Sequence, residues 1–311
     1  MTAEPRSPLP PRRPLSSAAV PAAPSRTRPP LRPVAGRAGD APAARAGSDD
    51  FTVFCEGVRR LCGIDLSQYK RAQMERRVRT FVERQGEPDL PTYLHRMQKD
   101  KAELEAFLDR VTINVSQLWR NPDQWTRLER TVLPELFAQG PGLKAWSAGC
   151  SYGAEAYTLA ALSRTVAAKL GGGKRIEITG TDIDRRIVER ARRGTFTADD
   201  ARDAPSALLQ RFFEPAGEGT WTARAELRPL VRFEAADLLR IPARKEQYDL
   251  ILCRNTVIYF TDDVRDALHA KLVESLRPGG YLVVGSTERV AHTTQLGLTP
   301  AFPFTYKKGE A

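Results

Sequence analysis

The chain of 311 residues carries a formal net charge of +10, with 28% charged and 41% hydrophobic residues. This length allows one large domain or two modest ones, each with a sizeable core. No apolar run approaches the roughly 20 residues of a membrane span, and no apolar signal core begins the chain. Four cysteines without a C-x-x-C pair and three scattered histidines argue against a disulfide framework and a metal site. A cytoplasmic location is therefore expected.

Residues 1–48 differ in composition from the rest of the chain. They contain eleven of the 23 prolines, eight arginines and no aromatic residue. Such a segment cannot bury enough apolar surface to offset its ordering entropy, so we expect a disordered tail. Eight arginines against four carboxylates give residues 1–50 a charge of +4. The tail is compatible with an arm for acidic partners or nucleic acid, with a solubilising extension, or with a chain start placed too early.

Residues 51–120 repeat apolar side chains every three or four positions and predict a small all-α domain. Phe51 opens the first helix, Gly63 ends it, and Ser67 is expected to cap the second helix. The other face of this second helix is basic. Its aligned cations are Lys70, Arg77 and Arg84. A basic helical face is usually only solvated, but the same charges also suit an acidic partner.

A series of alternating polar and apolar residues joins this domain to the rest of the chain. Asn114, Ser116 and Arg120 are interleaved with apolar residues up to Trp119. The pattern fits a capped linker whose tryptophan is anchored in the core. It equally fits a strip of polar side chains over a ligand site between two domains, where small-molecule sites are frequent.

The stretch Lys144–Ala161 predicts a strand that turns through Gly149 and Gly153 into a helix. In doubly wound α/β folds, such a turn brings backbone N–H groups close to a nucleotide-like ligand. The glycine spacing is not that of a dinucleotide site, and Glu155 in the first helical turn would repel a pyrophosphate. A carboxylate there suits a cationic group such as the α-amino group of S-adenosylmethionine, or it merely complements the helix dipole.

Further acidic side chains follow two later strands. The second strand of the predicted sheet ends at Asp182, where an acidic residue typically hydrogen-bonds ribose hydroxyls, and Asp184 is assigned as the N-cap of the next helix. Asp237 and Leu238 follow a subsequent strand. The carboxylate of Asp237 is suited to the exocyclic amine of adenine, but a loop cap would have the same sequence.

The last part of the chain completes an α/β pattern. Residues 213–230 predict an inserted β-hairpin, and residues 248–253 form an apolar run typical of a strand buried on both faces of a parallel sheet. That strand is followed directly by Arg254 and Asn255. Polar residues just past the carboxyl end of a central strand lie where such sheets bind ligands.

From about residue 51 to residue 307, the chain resembles the chemoreceptor glutamate methyltransferases of bacterial chemotaxis, the CheR family. The motifs, in the family's order, are Thr-Ile-Asn-Val-Ser-Gln-Leu-Trp-Arg, Trp-Ser-Ala-Gly-Cys-Ser-Tyr-Gly-Ala-Glu-Ala-Tyr, Gly-Thr-Asp-Ile-Asp, Cys-Arg-Asn-Thr-Val-Ile-Tyr-Phe and Leu-Arg-Pro-Gly-Gly-Tyr-Leu. The resemblance implies an all-α domain with its linker over residues 49–120. It also implies a Rossmann-like class I methyltransferase domain over residues 121–311, with a small antiparallel β-subdomain at about 213–230.

The resemblance further implies an activity and its residues. Methyl transfer from S-adenosylmethionine to glutamate side chains of chemoreceptors would give methyl esters and S-adenosylhomocysteine. The resemblance implies that the cofactor contacts Asn114, Ser116, Arg120, Glu155, Asp182, Asp237, Leu238, Arg254 and Asn255. The glycine turn described above adds Gly149 to these contacts. Arg120 and Tyr259 would stand nearest the transferred methyl group. The basic face with Lys70, Arg77 and Arg84 would dock the receptor.

The chain departs from the family's usual pattern at several positions. These are Ser116, Leu118-Trp119, Ala154, Ala156 and Asp237. The turn around Gly217–Gly219 is also shorter than in members that bind a receptor's C-terminal pentapeptide. We therefore expect no such tether, and we expect a monomer.

The predicted chemistry agrees with the residue types available. A glutamate carboxylate, with a reference pKa of about 4.3, is already ionised at neutral pH and needs no general base, metal or cysteine. A nucleic-acid methyltransferase is disfavoured, because the Asn/Asp-Pro-Pro-aromatic loop typical of such amino-methylating enzymes reads Arg254-Asn-Thr-Val257 here. A non-catalytic regulator that only binds S-adenosylmethionine would lack Arg120 or Tyr259.

Overall fold

The structure, a computed structural model, describes residues 49–112 and 114–310. The disordered tail expected over residues 1–48 lies outside these residues. The first helices are α1 (Asp50–Cys62), α2 (Arg71–Arg84), α3 (Leu90–Lys99) and α4 (Lys101–Val111). They share an apolar core in which the aromatic rings stand 5.6 to 6.1 Å apart between centroids. These rings belong to Phe54, Phe81, Tyr93 and Phe107.

The connection between α1 and α2 differs in part from the sequence prediction. Gly63 ends α1 in the left-handed region with φ of 81°, as predicted. The prediction that Ser67 caps α2 was wrong. Ser67 lies in a single 3-10 turn that Asp65 caps, with the Ser67 N–H 3.1 Å from Asp65 Oδ1. The helix α2 begins only at Arg71, because the backbone of Tyr69 is extended.

The rest of the described chain alternates helices with strands. The helices are α5 (Pro122–Arg127), α6 (Leu133–Ala138), α7 (Ala154–Lys169), α8 (Arg185–Arg193), α9 (Ser206–Phe212) and α10 (Asp262–Ser275). The strands are β1 (Gly142–Ala148), β2 (Arg175–Asp182), β3 (Thr195–Thr197), β4 (Phe213–Pro215), β5 (Thr220–Ala223), β6 (Val231–Ala235), β7 (Tyr248–Cys253), β8 (Leu276–Val284), β9 (Leu298–Phe302) and β10 (Thr305–Lys308).

Within the described residues, a seven-stranded sheet has the order β6-β2-β1-β7-β8-β10-β9. Its first five strands are parallel to one another, and β10 pairs antiparallel with both of its neighbours, β8 and β9. Every residue of β7 is buried. Leu250 and Leu252 belong to one apolar cluster, and Ile251 and Cys253 belong to another. Successive side chains of a strand point to opposite faces, so both faces are covered, and the predicted α/β fold is confirmed.

A second, three-stranded sheet in the described chain has the antiparallel order β3-β5-β4. The strands β4 and β5 form the hairpin that the sequence predicted. The strand β3 was not predicted, since three residues are too few to show an alternating pattern. No helix among residues 49–112 and 114–310 combines the length and the apolar character required to cross a membrane.

Candidate functional site

A cavity lies at the carboxyl edge of the large sheet, next to the N-terminal helices. The ends of β1, β2 and β7 contribute to its wall, which is the usual place of ligands in open α/β sheets. Each of the site residues predicted from the sequence lines this cavity. They are Asn114, Ser116, Arg120, Gly149, Glu155, Asp182, Asp237, Leu238, Arg254, Asn255 and Tyr259. Residues far apart in the chain therefore share one surface.

The turn between β1 and α7 is pressed against the loop after β7. Gly149 has a φ of 80°, and a Cβ at this position would lie 2.3 Å from Thr256 Oγ1. The Gly149 N–H donates to Thr181 O at 2.8 Å. A side chain at Gly149 would therefore be strained and would collide, so bare backbone borders the cavity here.

Asp182, at the end of β2, is a half-buried carboxylate on the cavity wall. It accepts the N–H groups of Ser151 at 2.8 Å and Asp184 at 3.1 Å. Burial raises the pKa of Asp182 above its ordinary value, and these hydrogen bonds oppose the shift. Asp184 has a different role, because its carboxylate caps α8 as predicted by accepting the N–H groups of Arg186 and Ile187.

Glu155 is already paired with a cation of the chain. Its Oε1 accepts the Ser147 hydroxyl at 2.7 Å, and its Oε2 lies 3.3 Å from Arg254 Nη1. Both charged side chains are buried. Burial raises the pKa of Glu155, while Arg254 and Ser147 oppose the shift. From its sequence position, Glu155 is expected to meet the cationic group of a ligand. The structure adds Arg254, so a ligand cation would share this carboxylate.

The remaining donors of Arg254 hold the last linker residues and the first turn of α5. Its Nη2 donates to Arg120 O at 2.7 Å and Asn121 Oδ1 at 3.0 Å, and its Nε donates to Gln124 Oε1 at 2.9 Å. Burial lowers the pKa of Arg254 and Glu155 opposes this, but a guanidinium stays protonated in proteins. Arg254 thus connects the carboxyl end of β7 to the linker that carries Arg120.

The linker itself is fixed from its other side. The Tyr152 hydroxyl accepts the Ser116 N–H at 3.2 Å and lies within hydrogen-bonding distance of Ser116 O. The same hydroxyl is 2.8 Å from Asp200 Oδ1. Asn114 donates through Nδ2 to Asp184 Oδ2 at 2.9 Å. Sequence reasoning missed Tyr152 and Asp200, because nothing in their local pattern shows that they contact a segment this far away in the chain.

Arg120 is less constrained than Arg254. Its side chain is partly exposed, and its Nη1 donates to Val115 O at 3.3 Å. No other hydrogen bond of the Arg120 guanidinium occurs among residues 49–112 and 114–310. Most of its five N–H donors therefore remain available to a ligand in the cavity.

The three cations of the basic face predicted on α2 differ in their distance from the cavity. Lys70 and Arg77 line the cavity, whereas Arg84 is exposed and does not. The Arg77 guanidinium lies 5.7 Å from the ring centroid of Tyr259 and donates to Val111 O at 3.1 Å. Arg84 shares nearly the same helix face but lies about 20 Å from Lys70 along the axis, at 1.5 Å per residue.

Asp237 is a loop cap that also lines the cavity. Its Oδ1 accepts the Leu239 N–H at 2.9 Å, as a loop cap does, and its Oδ2 lies 3.4 Å from Arg240 Nε. Asp237 also lines the cavity, next to the buried side chain of Leu238. A carboxylate beside an apolar side chain suits one polar edge of a flat heterocycle.

Comparison with protein families decides between the remaining classes of site. The model of the "CheR methyltransferase, all-alpha domain" matches residues 49–112. The model of the "CheR methyltransferase, SAM binding domain" matches residues 114–301. This chain belongs to the CheR methyltransferase family. It is an S-adenosylmethionine-dependent methyltransferase, and the carboxylate-lined cavity is of a kind that suits this cationic cofactor.

Curated members of the CheR family cover most of the chain. A chemotaxis protein methyltransferase of Listeria monocytogenes is 34% identical over 261 residues, which are 83% of this chain and 97% of that protein. Chemotaxis protein methyltransferase 1 of Pseudomonas aeruginosa is 32% identical over 249 residues, or 78% of this chain and 91% of that protein. A chemotaxis protein methyltransferase of Vibrio parahaemolyticus is 31% identical over 257 residues, or 81% of this chain and 90% of that protein.

A buried carboxylate that was not predicted from the sequence holds the loop at Asn255, which lines the cavity. Glu288, 3% exposed, accepts the N–H groups of Gly285 at 2.6 Å, Asn255 at 2.8 Å and Val257 at 3.1 Å. Asn255 has a φ of 58°, a left-handed conformation that is uncommon outside glycine. Glu288 stabilises this loop. A glutamate in the irregular segment after β8 has no sequence pattern that would have revealed the contact.

Proposed function

We propose that this chain transfers the methyl group of S-adenosylmethionine to glutamate side-chain carboxylates of bacterial chemoreceptors, forming methyl esters for chemosensory adaptation. The observation that carries the proposal is the division of charge around the cavity. Three carboxylates suit a cationic cofactor, and they are Glu155, Asp182 and Asp237. Three cations suit an anionic acceptor, and they are Lys70, Arg77 and Arg120. The family members named above are chemotaxis methyltransferases, which supports a receptor as the acceptor.

The proposed cofactor contacts divide by chemistry. Asp182 suits the ribose hydroxyls, Asp237 suits the exocyclic amine of adenine, and Glu155 suits the α-amino group. When bound, S-adenosylmethionine supplies a methyl group activated by a positively charged sulfur. Arg254 supports Glu155 by pairing with it at 3.3 Å. The other proposed contacts are Asn114, Ser116, Arg120, Gly149, Leu238 and Asn255.

The chain's part in the reaction is to orient the acceptor. A glutamate carboxylate is ionised at neutral pH, so no residue has to remove a proton from it. Arg120 has free donors with which to hold such a carboxylate through paired hydrogen bonds. The Tyr259 ring lines the cavity 5.7 Å from the Arg77 guanidinium and helps to position the acceptor. The acceleration of methyl transfer then comes from holding the carboxylate and the methyl group in a fixed orientation and from excluding water around them.

The proposal includes a docking surface for the receptor, formed by Lys70, Arg77 and Arg84. Lys70 and Arg77 border the cavity, so they would contact acidic residues near the modified glutamate. Arg84, at the other end of α2, would contact the receptor further away. Opposite charges on two proteins accelerate association and fix the register of the complex.

A second docking site on the β-subdomain is not part of the proposal. The turn between β4 and β5 comprises only residues 216–219. We expect no measurable binding of a peptide with the sequence of a receptor's C-terminal pentapeptide. Titration calorimetry with the full chain tests this expectation, and a dissociation constant in the micromolar range would contradict it.

The experiment that tests the proposed function is methyl transfer from radiolabelled S-adenosylmethionine to membranes containing chemoreceptors of the same organism. We expect label on the receptor bands that base treatment releases as volatile methanol, which is the behaviour of carboxyl methyl esters. Base-stable label would contradict the carboxylate acceptor. Absence of receptor label, with cofactor binding intact, would contradict the receptor as substrate.

The control for this assay is a pair of arginine variants. Arg120→Ala should transfer little methyl, because it lacks the guanidinium proposed to hold the acceptor. Arg175→Ala should behave as the unmodified chain does, since Arg175 is exposed at the start of β2, at the opposite edge of the sheet from the cavity.

A further inference from the structure

A short antiparallel bridge joins the helical domain to the loop after β7. Its backbone pairs are Tyr69 with Phe260, Lys70 N–H with Tyr259 O at 2.8 Å, and Thr261 N–H with Gln68 O at 3.0 Å. Backbone hydrogen bonds of this kind hold the segment in a defined register. The bridge therefore sets Tyr69 against the same loop that carries Tyr259.

The side chain of Tyr69 stands between two cavities. On one side it borders the cofactor cavity, together with Asp182 and Asp237. On the other side it borders a cavity of the helical domain, together with Cys55. Its ring packs against the Phe260 ring with 5.0 Å between centroids and 52° between planes. A residue that served only as core filling would be close-packed all round, whereas Tyr69 has open space on two sides.

The hydroxyl of Tyr69 has acidic neighbours and no assigned partner. Burial, followed by the charges of Asp237 and Asp182, raises the pKa of Tyr69, so its phenol stays neutral. Within residues 49–112 and 114–310, the hydroxyl makes no hydrogen bond. A neutral phenol both donates and accepts, so the hydroxyl of the half-buried Tyr69 is available to a ligand in the cavity.

We infer that Tyr69, a residue of the helical domain, contacts the adenosine part of S-adenosylmethionine between Asp182 and Asp237. The inference rests on the cofactor site of the proposed function. An aromatic ring is a favourable neighbour for any base, because each base offers a π face, and the free hydroxyl suits a polar group of adenosine. The cofactor site is then incomplete without the helical domain, although the model of the family's SAM binding domain begins only at residue 114.

The test is calorimetric titration of the full chain with S-adenosylhomocysteine. Tyr69→Phe removes only the hydroxyl and should weaken binding about fivefold, the value of one ordinary hydrogen bond. Tyr69→Ala also removes the ring and should weaken binding about 30-fold. The matched control is Tyr93→Phe, which removes a hydroxyl that contacts Glu103 within the helical domain and does not border the cavity. It should bind as the unmodified chain does.

A second ligand locates the contact on the cofactor. The probe is 5′-methylthioadenosine, which keeps the adenosine and lacks the amino-acid portion. Both Tyr69 variants should lose the same factor in affinity for this probe as for S-adenosylhomocysteine. Unchanged binding of both ligands by Tyr69→Phe and Tyr69→Ala would overturn the inference. A loss confined to S-adenosylhomocysteine would also overturn it, since the contact would then lie at the amino-acid end.

The readout separates this inference from the proposed function. If Tyr69→Ala fails to fold by circular dichroism, the two-ligand comparison with Tyr69→Phe decides the matter alone. Normal binding of S-adenosylhomocysteine without receptor esters would contradict the proposed function and leave the inference standing. Formation of receptor esters by the unmodified chain, together with unaffected ligand binding by both Tyr69 variants, would support the proposed function and overturn the inference.

Discussion

Two groups of residues around the cavity differ in charge and in how firmly they are held. The inner wall comprises Glu155, Asp182 and Arg254, and the outer wall comprises Lys70, Arg77 and Arg120. Glu155 and Arg254 are at most 8% exposed, and each is bound to the chain by several hydrogen bonds. The side chain of Arg120 on the outer wall is partly exposed and makes one long hydrogen bond of 3.3 Å.

This difference matches the two reactants of the proposed function. The cofactor is the same small molecule in every reaction cycle, so its wall gains from groups that are oriented in advance. The proposed acceptor is a side chain of another protein, and partly exposed cations suit its approach because they attract it at long range. Substitutions in the inner wall should therefore affect stability and cofactor affinity, whereas substitutions in the outer wall should affect turnover and receptor binding.

The largest effect is expected for Arg254→Met. This change leaves the Glu155 carboxylate buried without its cation, and breaking a buried pair in this way costs about 3–5 kcal/mol. The free energy of unfolding, measured by urea denaturation, should fall by that amount. The double variant Arg254→Met with Glu155→Gln should recover part of the loss, because no unpaired charge remains. A loss for Arg254→Met of under about 1 kcal/mol would contradict the paired arrangement.

Next in size is Arg120→Ala, which tests the outer wall. Removal of its guanidinium should lower kcat about 100-fold, as loss of one well-placed donor does, with little change in the free energy of unfolding. Steady-state kinetics with isolated receptor membranes measure this effect, and Arg175→Ala is the control. An unchanged kcat with only a raised KM would contradict the assignment, because such a result indicates equal binding of substrate and transition state.

Glu288→Gln should have a moderate effect, and it tests the support of the inner wall. The amide group of glutamine cannot accept all three N–H groups that the carboxylate accepts, so the loop with Asn255 should lose its fixed conformation. We expect S-adenosylhomocysteine to bind about tenfold more weakly in calorimetry. The exposed Glu218 provides the control Glu218→Gln. If Glu288→Gln and Glu218→Gln bind alike, Glu288 does not position this loop.

The smallest effects are expected from reversing charges on α2. Lys70→Glu and Arg77→Glu should each raise the KM for receptor membranes about fivefold at low salt, because each replaces an attraction by a repulsion near the modified glutamate. Arg84→Glu should raise it less, since it lies about 20 Å from Lys70 along the helix. The differences should shrink at high salt. An equal effect of all three reversals would show that distance from the cavity is irrelevant.

Local sequence patterns predicted much of the fold, although not its shortest elements. Gly63 was placed correctly at the end of α1, because a left-handed helix end strongly favours glycine. Ser67 was placed wrongly, because Asp65 two residues earlier accepts its N–H and forms a separate turn. The strand β3 was not predicted, for a different reason. Its three residues are strand-like only through pairing with β5, a contact between distant segments.

The sequence alone determined the alternation of strands and helices, the glycine turn after β1 and the acidic residues at strand ends. These features depend on residues that are neighbours in the chain. Because the carboxyl ends of parallel strands meet at one edge of the sheet, acidic residues at strand ends are brought to the same edge. Only the tertiary structure decided that Arg254 pairs with Glu155, that Glu288 holds Asn255 and that Tyr69 borders the same cavity as Asp182. The reason is physical: such contacts follow from how whole elements pack, and no local periodicity specifies which distant side chains then meet.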